Sequence, residues 1–133
     1  MSGVLADRRS LKVKASDSIE LVTSEEGYRE GFATAGDGLL AIAWVASWCR
    51  KCIYLKPKLN SLSNEMDNVC HFMFVDVNAV PGPVVREAGV QKLPTIQLWR
   101  NGEKLEELIC GESSQLVLKQ VRTMIEKYEN VTL

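Results

Sequence analysis

A chain of 133 residues, 46% hydrophobic and 25% charged, has the size and make-up of one soluble globular domain. Its 16 basic and 17 acidic residues leave a formal charge of −1, which argues against a nucleic-acid partner, and no apolar run nears the roughly 18 residues of a membrane helix. The four cysteines (Cys49, Cys52, Cys70 and Cys110) are too few and too unevenly spaced for a disulfide framework, so a reducing compartment is expected.

Residues 1–16, MSGVLADRRSLKVKAS, carry four cations and one acid without a clear period. They are set aside as an expression tail or the end of a Ser/Arg-rich organelle transit segment, and residues 17–133 are read as one domain. SIELV (18–22) alternates like a short strand. Ser24, followed by Glu25 and Glu26, reads as a helix cap with acids at the positive end of the dipole, opening a helix to about Ala35. AGDG (35–38) ends it, and LLAIAWVA (39–46) is continuously apolar, as expected of a strand covered on both faces. Beyond the sequence WCRKC, Cys52, Leu55, Leu59, Leu62 and Met66 recur at helical spacing, with a bend expected at Pro57. HFMFVDV (71–77) reads as a strand and PGPVVREAGV (81–90) holds a short helix beginning near Pro83. PTIQLWR (94–100) and EKLEELIC (103–110) form a hairpin around Asn101-Gly102, a pair suited to a type I′ turn. After Gly111 and Ser113 or Ser114, a last helix carries Val117, Val121, Met124, Ile125 and Tyr128 on one side. The order β-α-β-α-β-α-β-β-α implies an α/β fold with a mixed sheet covered on both faces.

Cys49 and Cys52 stand between the end of the buried strand and the first turn of a helix. Residues three apart on such a turn are roughly 5–6 Å apart at Cβ, close to disulfide geometry. Cys49 falls where free N–H groups and the positive dipole end favour a thiolate, and Cys52 falls on the apolar stripe. An exposed attacking sulfur with a shielded resolving partner suits thiol–disulfide exchange. Incidental packing and half of a metal site are the competing readings. Cys49-x2-Cys52-x17-Cys70 opens like a zinc spacing but lacks the final x2-Cys, so a site within one chain would need Cys110 or His71.

Trp48-Cys49-Arg50-Lys51-Cys52, Pro57, VDVN (75–78), GVQKLPT (89–95), NGE (101–103) and Gly111 together resemble a thioredoxin in order and spacing, over about residues 18–128. The WCRKC run followed by IYLKPKL is similar to the atypical WCRKC thioredoxins of plant chloroplasts. The resemblance implies a thioredoxin fold, with a central mixed five-stranded sheet flanked by four helices. It implies a protein-disulfide reductase in which Cys49 attacks and Cys52 resolves. Trp48, Leu93, a cis Pro94 and Gly111 would shape the substrate groove. Protein disulfides would be the substrates, with peroxidases or methionine sulfoxide reductases among the targets. Glutathione with glutaredoxin, or a thioredoxin reductase, would be the reductant. A monomer in the chloroplast stroma without a bound cofactor is expected.

Two departures qualify that resemblance. Thioredoxins place a buried Asp six residues before the first cysteine and a partner Lys four residues before the Asp of VDVN; here these positions are Ala43 and Phe72. The obvious base for Cys52 is thereby removed, and slow resolution is expected. Arg50 and Lys51 stand where the family has Gly-Pro. Cations beside the Cys49 sulfur favour its thiolate, which should make the couple more oxidising than the roughly −270 mV of thioredoxin. Cys110, just before Gly111, is a candidate third redox thiol; Cys70 reads as structural and His71 as a surface or boundary residue. A metal or iron–sulfur module and a thioredoxin-fold interaction or chaperone module are the alternative functions.

Overall fold

The computed structural model describes residues 19–111 and 113–129. The proposed tail at 1–16, the first residue of the expected strand at 18–22 and the C-terminal residues 130–133 lie outside the described residues.

Five strands and four helices occur among them, in the expected order: β1 (Glu20–Val22), α1 (Glu25–Ala35), β2 (Leu39–Val45), α2 (Arg50–Glu65), β3 (Cys70–Asp76), α3 (Gly82–Glu87), β4 (Thr95–Arg100), β5 (Glu103–Ile109) and α4 (Ser114–Glu129). The spatial order is β1-β3-β2-β4-β5. β1 and β2 run parallel to β3, as crossover connections demand, while β4 pairs antiparallel with both β2 and β5.

All seven residues of β2 are buried because helices cover both of its faces. Alternation sends Leu39, Ala41, Ala43 and Val45 into one cluster with Leu55, Leu59 and Leu62 of α2 and Val117, Val121 and Ile125 of α4. Leu40, Ile42 and Trp44 point the other way, to Val84 and Ala88 with Tyr28 and Phe32 of α1. Burying each large side chain contributes about 1.5–3 kcal/mol, so two apolar layers hold the central strand in register.

Local signals act as the residues dictate. Ser24 caps α1, its Oγ accepting from the Gly27 N–H at 3.0 Å. Asn101 and Gly102 both take positive φ, 53° and 77°, the requirement of the tight hairpin turn. β3 spans Cys70–Asp76, one residue earlier than expected, because Cys70 pairs in register with Leu39 at the start of β2. α2 is continuous from Arg50 to Glu65 with Pro57 inside it.

One buried polar group was not singled out by the sequence. Gln97, fully buried in β4, donates through Nε2 to the Ala88 carbonyl (2.8 Å) and Glu107 Oε1 (2.9 Å). Its Oε1 accepts from Trp44 Nε1 (2.9 Å) and Trp99 Nε1 (3.1 Å), so the amide's two donors and two acceptor sites are all used. Lys104 Nζ joins from β5, 3.1 Å from both the Ala88 carbonyl and Glu107 Oε1. The network ties the end of α3 to three strands.

Candidate active site

Cys49 is the N-cap of α2, in extended conformation (φ −85°, ψ 110°). Its N–H donates to the Ala46 carbonyl at 3.2 Å, which turns the chain out of β2, and its carbonyl accepts the Ile53 N–H at 3.2 Å as the helix begins. The Cys49 Sγ then accepts the backbone N–H of Cys52 at 3.3 Å. A cap position has free N–H groups to satisfy, and here a sulfur satisfies one of them. That hydrogen bond and the helix dipole both favour negative charge on the Cys49 sulfur.

The expected contrast of an exposed and a shielded thiol is smaller than anticipated. Cys49 is 7% exposed and Cys52 is fully covered, because the cap turns the Cys49 sulfur inward over the first helical turn. Both thiols are reduced, as are Cys70 and Cys110. Burial, reinforced by the hydrogen bond with Cys49, pushes the Cys52 thiol up to about 12; the Cys110 thiol nearby adds to the rise, and the Ala46 backbone opposes it. Cys52 is thereby held as a neutral, shielded thiol.

The other expected site residues gather at this end of the sheet. Leu93-Pro94 is a cis peptide; Pro94 is buried and Leu93 half-buried, packed against both apolar clusters. The Cys110 N–H donates to the Pro94 carbonyl at 3.0 Å, fixing the end of β5 beside the start of β4. Gly111 follows, exposed. Trp48 is 69% exposed beside Cys49, and Ile53 and Tyr54 are also largely exposed on the first turns of α2. Arg50 and Lys51 are exposed, and no acid lies in the first turn of α2 to offset them. Lys51, Tyr54, Pro94, Cys110, Ser113 and Ser114 line a cavity of about 250 Å³ between α2 and the start of α4.

Cys70 and His71 are not part of this assembly. Cys70 opens β3 beside Leu39, at the start of β2, whereas the dithiol follows the end of β2. Seven strand residues separate the two ends by about 20 Å. Cys70 therefore does not complete a metal site with Cys49 and Cys52 within one chain, and among the described residues no group of three or more His, Cys, Asp or Glu is placed to hold a metal ion. Burial pushes the Cys70 thiol up to about 12 and the half-buried His71 down.

The thioredoxin family model matches residues 19–123. The chain belongs to the thioredoxin family. It is 51% identical over 89 residues to thioredoxin-like 3-1, chloroplastic, and 55% identical over 87 residues to thioredoxin-like 3-2, chloroplastic, both of Arabidopsis thaliana. Those matches cover 67% and 65% of the chain but only 42% and 45% of the two relatives, so the chain spans under half of their length. The solved structure of thioredoxin from Malassezia sympodialis superposes with a TM-score of 0.72, covering 92% of the chain and 99% of that structure at 20% identity, which supports the fold.

Against the thioredoxin pattern, the vacated buried pair is filled with hydrocarbon. Ala43 and Phe72 are 4% and 7% exposed, and Phe74, the register partner of Ala43, is 2% exposed. All three share a cluster with Cys49 and Cys52. Lys56, one turn beyond Cys52, places its ammonium 5.6 Å from the centre of the Phe74 ring. A cation over an aromatic face is favourable there, and it is a different charge in a different place from a buried carboxylate.

Proposed function

We propose that this thioredoxin is a thiol–disulfide oxidoreductase that reduces protein disulfides. The observation that carries the reading is the geometry of the dithiol: a helix N-cap sulfur that accepts the N–H of the second cysteine, set beside a cis proline and an exposed tryptophan. In the reductive direction the Cys49 thiolate attacks one sulfur of a substrate disulfide. A mixed disulfide forms and the other substrate sulfur leaves. Cys52 then attacks the Cys49 sulfur, the second substrate thiolate departs, and Cys49–Cys52 is left oxidised. Trp48, Leu93, Pro94 and Gly111 border the groove in which the client backbone lies. Arg50 and Lys51 raise the electrostatic potential around the attacking sulfur, which favours its thiolate and raises the reduction potential.

Ala43 and Phe72 leave Cys52 without a buried base, so its proton passes to water or to the departing substrate thiolate. A small thiol such as glutathione is then a reasonable electron donor beside a thioredoxin reductase. The names of the Arabidopsis relatives support a chloroplast location, and within it the stroma is our own assignment. A monomer, with residues 17–133 folding as one domain, completes the reading.

Insulin reduction with dithiothreitol as donor tests it. The wild-type chain should precipitate the insulin B chain well before dithiothreitol alone, and Cys49→Ser should fall back to the dithiothreitol rate. Equal activity of the two proteins would reject the enzyme. Offering glutathione, NADPH with thioredoxin reductase, or ferredoxin with its thioredoxin reductase to the same protein identifies the donor.

A further inference from the structure

Buried at 4% exposure, Cys110 meets the active site on two counts. Its N–H is bonded to the carbonyl of Pro94, which pins it to the strand ends that face the dithiol. It also borders, with Lys51 and Pro94, the 250 Å³ cavity against the first turn of α2. Its sulfur makes a 3.8 Å contact with the Leu108 carbonyl, too long to hold it firmly. Burial pushes its thiol up to about 12, while Lys51, the residue just before Cys52, pulls the other way. Cys52 in turn responds to charge on Cys110. Three thiols and one ammonium thus occupy one end of the molecule.

We propose that Cys110 is a third exchange thiol, which opens the Cys49–Cys52 disulfide at Cys52 and returns Cys49 to its free form. The inference rests on the oxidoreductase reading above. The Cys110 sulfur, as thiolate, attacks the Cys52 sulfur; the Cys52–Cys110 bond forms, the Cys49–Cys52 bond breaks, and its electron pair leaves on Cys49. The proton given up by Cys110 ends on Cys49 through solvent. One disulfide and one thiol are present before and after, so no outside oxidant or reductant is consumed.

The direction of attack follows from the sulfurs themselves. A thiolate departs faster the better its charge is held. Charge on Cys49 is held by the Cys52 N–H at 3.3 Å and by the helix N-terminus, whereas Cys52 is fully buried and the Ala46 backbone group that favours its charge is outweighed by burial. Attack at Cys52 expels the better leaving group. The Cys110 side needs room to approach α2, and it has some: Gly111 has no described atom within 4 Å of where a Cβ would stand, and the cavity lies beside it. The consequence is an oxidised molecule whose disulfide lies beneath the surface and whose attacking thiol is available again.

The test is a disulfide map of the fully oxidised chain, quenched in acid, alkylated and digested. The expected result is a Cys52–Cys110 peptide beside the Cys49–Cys52 peptide, with alkyl label on Cys49. In Cys110→Ser the label on Cys49 should disappear from the oxidised state. In Cys49→Ser, mild oxidation with diamide should remove two hydrogens by linking Cys52 to Cys110. A map holding only Cys49–Cys52, with the label on Cys110, overturns the proposal, as does Cys49→Ser that keeps both thiols alkylatable. Should Cys49→Ser not fold, the wild-type map decides alone. Insulin reduction by wild type separates the two levels. A chain that reduces insulin but never links Cys52 to Cys110 loses only the third thiol, whereas one that cannot reduce insulin loses the parent reading.

Discussion

Cys52 is held neutral by its surroundings. It has no exposed surface, no carboxylate beside it among the described residues, and a thiol pushed up to about 12, chiefly by burial. At neutral pH Cys52 therefore stays protonated until it attacks the Cys49 sulfur of the mixed disulfide. In Cys49→Ser, alkylation of Cys52 by iodoacetamide should be very slow at pH 7 and should keep rising through pH 10; a plateau below pH 8 would contradict the burial argument. Restoring half of the missing pair should harm the fold. Ala43→Asp would set an unpaired carboxylate between Phe72 and Phe74, costing about 3 kcal/mol or more in urea unfolding, and adding Phe72→Lys should return part of that loss. The sequence made the dithiol, Pro94 and the vacated pair legible because each is a residue type at a fixed place in a motif. It did not reveal how far Cys49 is covered, because that depends on which way a cap side chain turns.

Among the elements, strands and helices followed directly from pattern: the all-apolar run of β2, the stripe of α2 and the Asn-Gly turn each admit one packing solution. Gln97 did not, since a single polar residue in an apolar strand reads as ordinary until its partners on β2, β5 and α3 come together. Those partners make it a structural bolt for the strand that follows Pro94. Gln97→Leu should cost about 2–4 kcal/mol in denaturant unfolding, because the indole N–H groups of Trp44 and Trp99 are left without their acceptor. The same network sets an acid response. Burial works against the Glu107 charge, but the bonds from Gln97 and Lys104 outweigh it and hold the carboxyl below its usual 4.5. A carboxyl depressed by folding adds stability above its unfolded pKa and loses it as pH falls through the folded value. Thermal stability should therefore drop below about pH 4.5, and the drop should be shallower in Glu107→Gln. An unchanged acid limb in that variant would dissociate Glu107 from the response.

At the scale of the whole molecule, one end of the sheet gathers three thiols, a cis proline, an exposed tryptophan and two exposed cations, while Cys70 and His71 lie at the other end. Segregation by strand direction, which sequence spacing alone does not show, separates the chemistry from the packing. The cations are expected to appear in the redox potential. If each contributes about 0.3–1 kcal/mol to the Cys49 thiolate, the couple is raised by about 10–40 mV, and Arg50→Gln with Lys51→Gln should lower it by that amount. A redox titration in which the double variant matches wild type would remove the cations from the account.

In the proposed mechanism Cys49 is the sulfur that attacks a protein disulfide. Its most direct measurement is covalent trapping with the Cys52→Ser, Cys110→Ser double variant, which retains Cys49 without either neighbouring thiol. Incubated with oxidised insulin, this protein should accumulate a mixed disulfide that dithiothreitol releases and that peptide mapping places on Cys49. No adduct, or an adduct carried by Cys70, would contradict it.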